Sequence, residues 1–130
     1  VREARFVLPG VPQGSNRSSG RHWSQLRSER GPQREWRYLG AVAVAHARRT
    51  GAWDGRPFVA VDMEARFWLP DRRRRDLDGL MFGLKGAIDA LQPSVIPDDD
   101  WQHVRAITAV AAGVDRANPR VEITLREVPA

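Results

Sequence analysis

The residues of this chain that could do chemistry are concentrated between Asp71 and Trp101, in DRRRRDLDGLMFGLKGAIDALQPSVIPDDDW. Seven of the ten aspartates lie there: Asp71, Asp76, Asp78, Asp89, Asp98, Asp99 and Asp100. So do the only lysine, Lys85, and the run Arg72, Arg73, Arg74, Arg75. Carboxylates hold hard divalent cations through oxygen. Dense positive charge holds a phosphate backbone. Gathered in one stretch, the two suit metal-assisted phosphodiester chemistry.

Asp76 and Asp78 are two residues apart. If residue 76 is extended, both carboxylates point the same way. Mg²⁺ takes one or two carboxylates and fills its shell with water and phosphate oxygens. A third carboxylate from Asp98, Asp99 or Asp100 would close such a site. A plainer reading competes: Asp is a favoured N-cap and suits the positive end of a helix dipole. The three consecutive aspartates weigh against it, because adjacent like charges need solvent, arginine or a cation beside them.

Lys85 lies seven residues, two helical turns, after Asp78. It can neutralise charge developing on a phosphate, or simply pair with Asp89 at i,i+4 for about a few tenths of a kcal/mol. Since 20 of the 21 basic residues are arginine, a lone lysine is informative. The arginine run abuts the acids and reads as a phosphate clamp. His103 stands alone two residues past Trp101 and reads as structural.

These side chains need elements to hold them. Residues 3–8 read as a strand with Phe6 and Leu8 on one face, ended by Pro9, Gly10 and Pro12. Residues 10–31 form a long polar connection, of a length usually functional or mobile. It carries Asn16, Arg17, Arg21, His22 and Trp23, and reads equally as a DNA-contacting arm or a solvated loop. Pro32 opens a helix with Trp36, Leu39, Ala43 and Ala47 at helical spacing, Trp36 in the core, and Gly51 at its end. Residues 58–69 alternate as a strand, with Val59, Val61, Met63, Ala65 and Phe67 on one face. Residues 77–91 predict a helix whose stripe Leu80, Leu84, Ala87, Ile88 and Leu91 faces the core. Asp78, Lys85 and Asp89 fall on the opposite side. Residues 103–112 are apolar on both faces, which predicts a strand inside the sheet. Residues 120–127 alternate again, and Asp115–Pro119 supplies turn chemistry for a hairpin between these last two strands. The order is β-α-β-α-β-β. The fold class is therefore α/β or α+β: a mixed sheet of about four strands with two helices.

At 130 residues the chain predicts one domain, 1–130. It has no cysteine, which excludes disulfides and thiolate metal sites. No apolar run reaches membrane-spanning length and no signal peptide is legible, so a cytoplasmic protein without membrane contact is expected. The net charge of +5 favours a polyanionic partner.

The segment LPDRRRRDLDGL…LKGAIDAL…DDDWQ resembles the RusA family of Holliday-junction resolvases, endonucleases of phages and prophages. Residues 6–17, FVLPGVPQGSNR, resemble that family's first strand, proline turn and Asn-Arg. The specific part of the resemblance is residues 69–102. It implies catalytic, metal-holding aspartates at Asp76, Asp78 and Asp100, with Asp99 the second choice for the third, and an essential lysine at Lys85. It also implies DNA contacts from Arg72–Arg75, Asn16, Arg17 and Arg21. The Asp78-to-Lys85 interval is three residues longer than in the founding member, which keeps the lysine on the same helical face. Gly79 stands where the family has Asn. The implied activity is Mg²⁺- or Mn²⁺-dependent nicking of a four-way DNA junction, in paired symmetric cuts by a homodimer acting in a bacterial host.

Other readings stay open: a nuclease for forks or flaps, and a non-catalytic protein that binds branched DNA. A DNA mimic using the acidic loop is disfavoured by the positive net charge.

Overall fold

Four strands build one sheet in the computed structural model, which describes residues 1–13 and 30–129. Strand β1 (Glu3–Pro9) buries Ala4, Phe6 and Leu8 and exposes the residues between them. Helix α1 (Arg30–Thr50) follows, then β2 (Val61–Leu69). Two short helices come next, α2 (Leu77–Gly83) and α3 (Lys85–Asp89), and then β3 (Val104–Val114) and β4 (Arg120–Glu127). The sheet order is β1-β4-β2-β3. β4 is antiparallel to both β1 and β2, whereas β3 is parallel to β2. The fold is thus a small α+β domain on a mixed four-stranded sheet.

Two expectations about the C-terminal strands are corrected. β3 and β4 do not form a hairpin: β2 lies between them. The turn chemistry is real, since Asp115 Oδ1 accepts from the Asn118 amide at 3.1 Å. Yet that turn carries the chain over the end of β2. Nor is β3 interior: it is an edge strand, exposed over Arg105–Thr108. Two boundaries also move. The second strand begins at Val61, leaving Val59 75% exposed, with Phe58 buried just before it. The helix expected over 77–91 is two pieces.

A single core lies between the sheet and the helices. β2 contributes Val61, Met63, Ala65 and Phe67, all at most 2% exposed, and β4 contributes Val121, Ile123 and Leu125. Leu80, Leu84, Ala87, Ile88 and Leu91 form the expected helical stripe against them. Trp36, Ala43 and Ala47 of α1 also face inward. Apolar side chains buried this fully stabilise the fold by about 1.5–3 kcal/mol each, and Phe67→Ala would cost about 3–5 kcal/mol.

Two glycines allow α1 to cross the α2–α3 segment closely. A Cβ on Gly40 would lie 2.8 Å from the Ala90 Cβ, and one on Gly86 only 2.2 Å from the Gln33 carbonyl oxygen. The Gly86 amide donates to Gln33 Oε1 at 3.0 Å, which locks the crossing. Among the described residues no helix is long and apolar enough to cross a membrane.

Candidate functional site

The parallel pairing of β2 and β3 requires a crossover, and the chemistry-bearing residues sit on it. β2 ends at Leu69, and Pro70 delivers the chain into the arginine turn. Asp71 organises that turn. Its Oδ1 accepts from the Arg73 amide at 2.9 Å and from Arg75 Nη1 at 2.8 Å. Arg75 also donates to the carbonyls of Asp71 and Arg73. The Arg75 hydrogen bond, with the Arg73 amide second, holds the Asp71 carboxyl below its usual range. Arg75 is therefore a brace, its side chain 11% exposed. Arg72, Arg73 and Arg74 are exposed and, among the described residues, their side chains have no ion-pair partner. The clamp expected of four arginines is available from three.

Asp76 is extended, with φ −95° and ψ 136°, and occupies the N-cap position of α2. Its side chain makes no cap hydrogen bond. The backbone half of the capping alternative is thus present and the carboxylate half is not. Asp78 Oδ1 accepts from the neighbouring Gly79 amide at 2.9 Å. Among the described residues neither aspartate has an ion-pair partner.

The break between α2 and α3 hardly disturbs the helical path. The Leu84 amide donates to the Leu80 and Met81 carbonyls, and the Ile88 amide donates to Leu84. Lys85 consequently keeps the two-turn relation to Asp78. Both line a hollow of about 300 Å³, together with Asp99, Met63, Met81, Phe82, Ile88, Val104 and Ile107. Lys85 Nζ is 3.6 Å from Asp89 Oδ1, so the simple i,i+4 pair also forms. Arg37 shares Asp89, at 3.6 Å from its other oxygen. The ammonium remains more than half exposed.

A second hollow, of about 520 Å³, is lined by Asp76 with Arg73, Arg74, Arg75, Pro70 and residues Val11–Gln13. Asp76 and Asp78 therefore open onto different hollows. Asp100 lines neither: its Oδ1 accepts from the Gln102 amide at 3.1 Å and lies 4.0 Å from His103 Nε2. Of the two residues between which the spacing left a choice, Asp99 is the one beside Asp78 and Lys85. The set Asp76, Asp78 and Asp100 is not gathered, and no group of three or more His, Asp or Glu side chains among the described residues is placed to hold a metal ion. The donors still fit a hard cation. Asp78 and Asp99 offer all-oxygen ligation from two carboxylates, leaving other positions for water and phosphate, which is how Mg²⁺ binds. Asn16, Arg17 and Arg21 lie outside the described residues. Gln13, the last described residue before them, is on the rim of the arginine hollow.

His103 is structural, as its isolation in the sequence suggested. Its Nδ1 donates to the Val59 carbonyl at 2.7 Å, which ties the acidic loop to the start of β2. Sequence reasoning missed the apolar wall of the first hollow, where Phe82 and Ile107 are half exposed. Phe82 lies two residues after Leu80 and two before Leu84, a spacing that puts it off that stripe; this was the available signal.

No family model matches the chain, and no curated protein matches its sequence.

Proposed function

We propose that the chain is a metal-dependent endodeoxyribonuclease of the RusA type, acting on branched DNA. The observation that supports this best is the hollow shared by Asp78, Lys85 and Asp99, with exposed arginines in the turn that precedes the helix. Asp78 and Asp99 would hold Mg²⁺ or Mn²⁺. Such a cation, when bound, lowers the pKa of a coordinated water and stabilises the leaving oxygen of a phosphodiester. Lys85 would neutralise charge on the phosphate, beside Met81, Phe82 and Ile107. Arg72, Arg73 and Arg74 would hold flanking phosphates, with affinity falling steeply in salt. Asp76, facing the arginine hollow, and Asp100, beside His103, complete the set of aspartates that the resemblance implies. A homodimer would present two such centres to a four-way junction, whose two-fold symmetry it matches.

The test is a nicking assay on a synthetic four-way junction, a fork and a linear duplex, with Mg²⁺, Mn²⁺ or EDTA. Paired nicks on the junction, lost in EDTA, are expected. Cuts confined to forks would leave a nuclease of different specificity. Binding to all three substrates without cleavage in either metal would refute the catalytic reading and leave a non-catalytic DNA-binding protein.

A further inference from the structure

Phe82 is 50% exposed, although Leu80 and Leu84 on either side of it are fully buried. It lines two hollows at once. One is the hollow of Asp78, Lys85 and Asp99. The other, of about 390 Å³, lies between the residues after β1 and the first turns of α1, with Val11, Pro12, Pro32 and Trp36 in its lining. Gln13 and Glu35, both exposed, add polar groups to it. A concave space of this size, largely apolar with a few polar groups, suits a small planar group.

The backbone around Phe82 is braced from outside its own helix. Its carbonyl accepts from Gln33 Nε2 at 3.5 Å, and Oε1 of the same side chain accepts from the Gly86 amide at 3.0 Å. Pro12 packs so near Gly83 that a Cβ there would lie 2.6 Å from the proline Cβ. A half-exposed ring on a braced backbone loses little freedom when a partner stacks on it. Phe82 and Gly83 both fall within the Asp78-to-Lys85 interval, where this chain is longer than the founding member of the family it resembles.

Building on the proposed nuclease reading, we infer that the second hollow takes one unstacked nucleobase of the bound DNA, with Phe82 as its stacking face. The helix selects this occupant. Asp78 and Phe82 are four residues apart on α2, so they share a face and lie about 6 Å apart along its axis. One nucleotide spans that distance from its phosphate to its base. A phosphate held at Asp78, Lys85 and Asp99 therefore puts a neighbouring base at Phe82 once that base leaves the stack. Aromatic rings stack on any base, and an unpaired base leaves the stack most cheaply. The chain would thus recognise a branch through a base freed there, and not through phosphates alone.

The experiment measures binding of a four-way junction in EDTA by fluorescence anisotropy. A single abasic site is placed at each nucleotide around the branch in turn. Phe82→Ala should weaken binding of the unmodified junction about tenfold or more, with an unchanged melting temperature, and Phe82→Trp should bind as the unaltered chain does. The cost of Phe82→Ala should vanish when the abasic site occupies one position next to the branch, and persist at the others. A cost that persists at every position, or no cost on the unmodified junction, would overturn the base site. Coupling of Phe82 to one base without cleavage in Mg²⁺ or Mn²⁺ would leave the base site standing and refute the nuclease; cleavage without coupling would do the reverse.

Discussion

The open face of the sheet and the crossover beside β3 are both crowded with charge, yet they use it in opposite ways. On the open face the carboxylates are paired. Asp62 meets Arg105 at 2.6 Å, Glu3 meets Arg126 at 2.8 Å, and Glu122 accepts from both Trp68 and Arg120. The Arg105 hydrogen bond holds the Asp62 carboxyl below its usual range. Burial pushes the Glu122 carboxyl up, and the indole and guanidinium bonds more than offset it, so it too ends low. Asp115 is lowered chiefly by its bond from Arg120. On the crossover, Asp76, Asp78 and Asp99 have no ion-pair partner among the described residues, although Asp76 shares a hollow with Arg73 and Arg74. Among the described residues, the exposed arginines of the turn leave these acids unneutralised. Carboxylates left unpaired beside unpaired cations are available to an incoming cation and phosphate; paired ones hold the sheet.

Breaking the comparison should therefore give opposite results on the two sides. The largest effect is expected at Lys85. If it serves the phosphate, Lys85→Met lowers the cleavage rate by about 10²-fold or more with an unchanged melting temperature. If it serves only Asp89, cleavage is untouched and stability drops by about a few tenths of a kcal/mol; single-turnover kinetics beside thermal melts separate these. The arginine turn sharpens the contrast within four residues. Replacing Arg72, Arg73 and Arg74 with Ala should leave the melt unchanged and reduce the log–log salt slope of DNA binding by about 3. Arg75→Ala should instead lower the melting temperature, because three of its hydrogen bonds close the turn. Equal effects from the two variants would remove the distinction between brace and clamp.

The smallest effect concerns pH. The lowered carboxyls Asp62, Asp71, Asp115 and Glu122 bind protons more weakly folded than unfolded. Their contribution is present above the unfolded pKa, about 4, and is lost as pH falls through the lower folded values. Melting temperature should hold from pH 7 to about 5 and fall below 4, with Asp62→Asn flattening that fall. A fall of equal size in the variant would show that Asp62 is not part of it.

Much of the fold was legible because periodicity is a local signal. The alternation in β1, β2 and β4 and the stripe from Leu80 to Leu91 follow from side-chain direction alone. Sheet order is not local. Asp115–Pro119 has the chemistry of a tight turn, but nothing in those residues says that β2 stands between the strands they join. β3 misled for a different reason. Apolar residues on both faces suggested burial, yet most of them are alanine or glycine, which lose little when exposed. At the site, the shared side of Asp78 and Lys85 was legible from spacing, whereas Asp76 is extended and yet opens onto a different hollow from Asp78. Which of three consecutive aspartates enters the hollow was not, because loop residues 92–100 carry no period; the tie from His103 to Val59 is a long-range contact.

The central claim is that unpaired acids do chemistry and paired ones do not. It is tested most directly by junction cleavage in Mn²⁺ with Asp78→Asn, Asp99→Asn and Asp62→Asn compared with the unaltered chain. The account predicts that Asp78→Asn and Asp99→Asn bind the junction and fail to cut it, while Asp62→Asn cuts normally. Full cleavage by Asp78→Asn, or equal losses in all three, would contradict it.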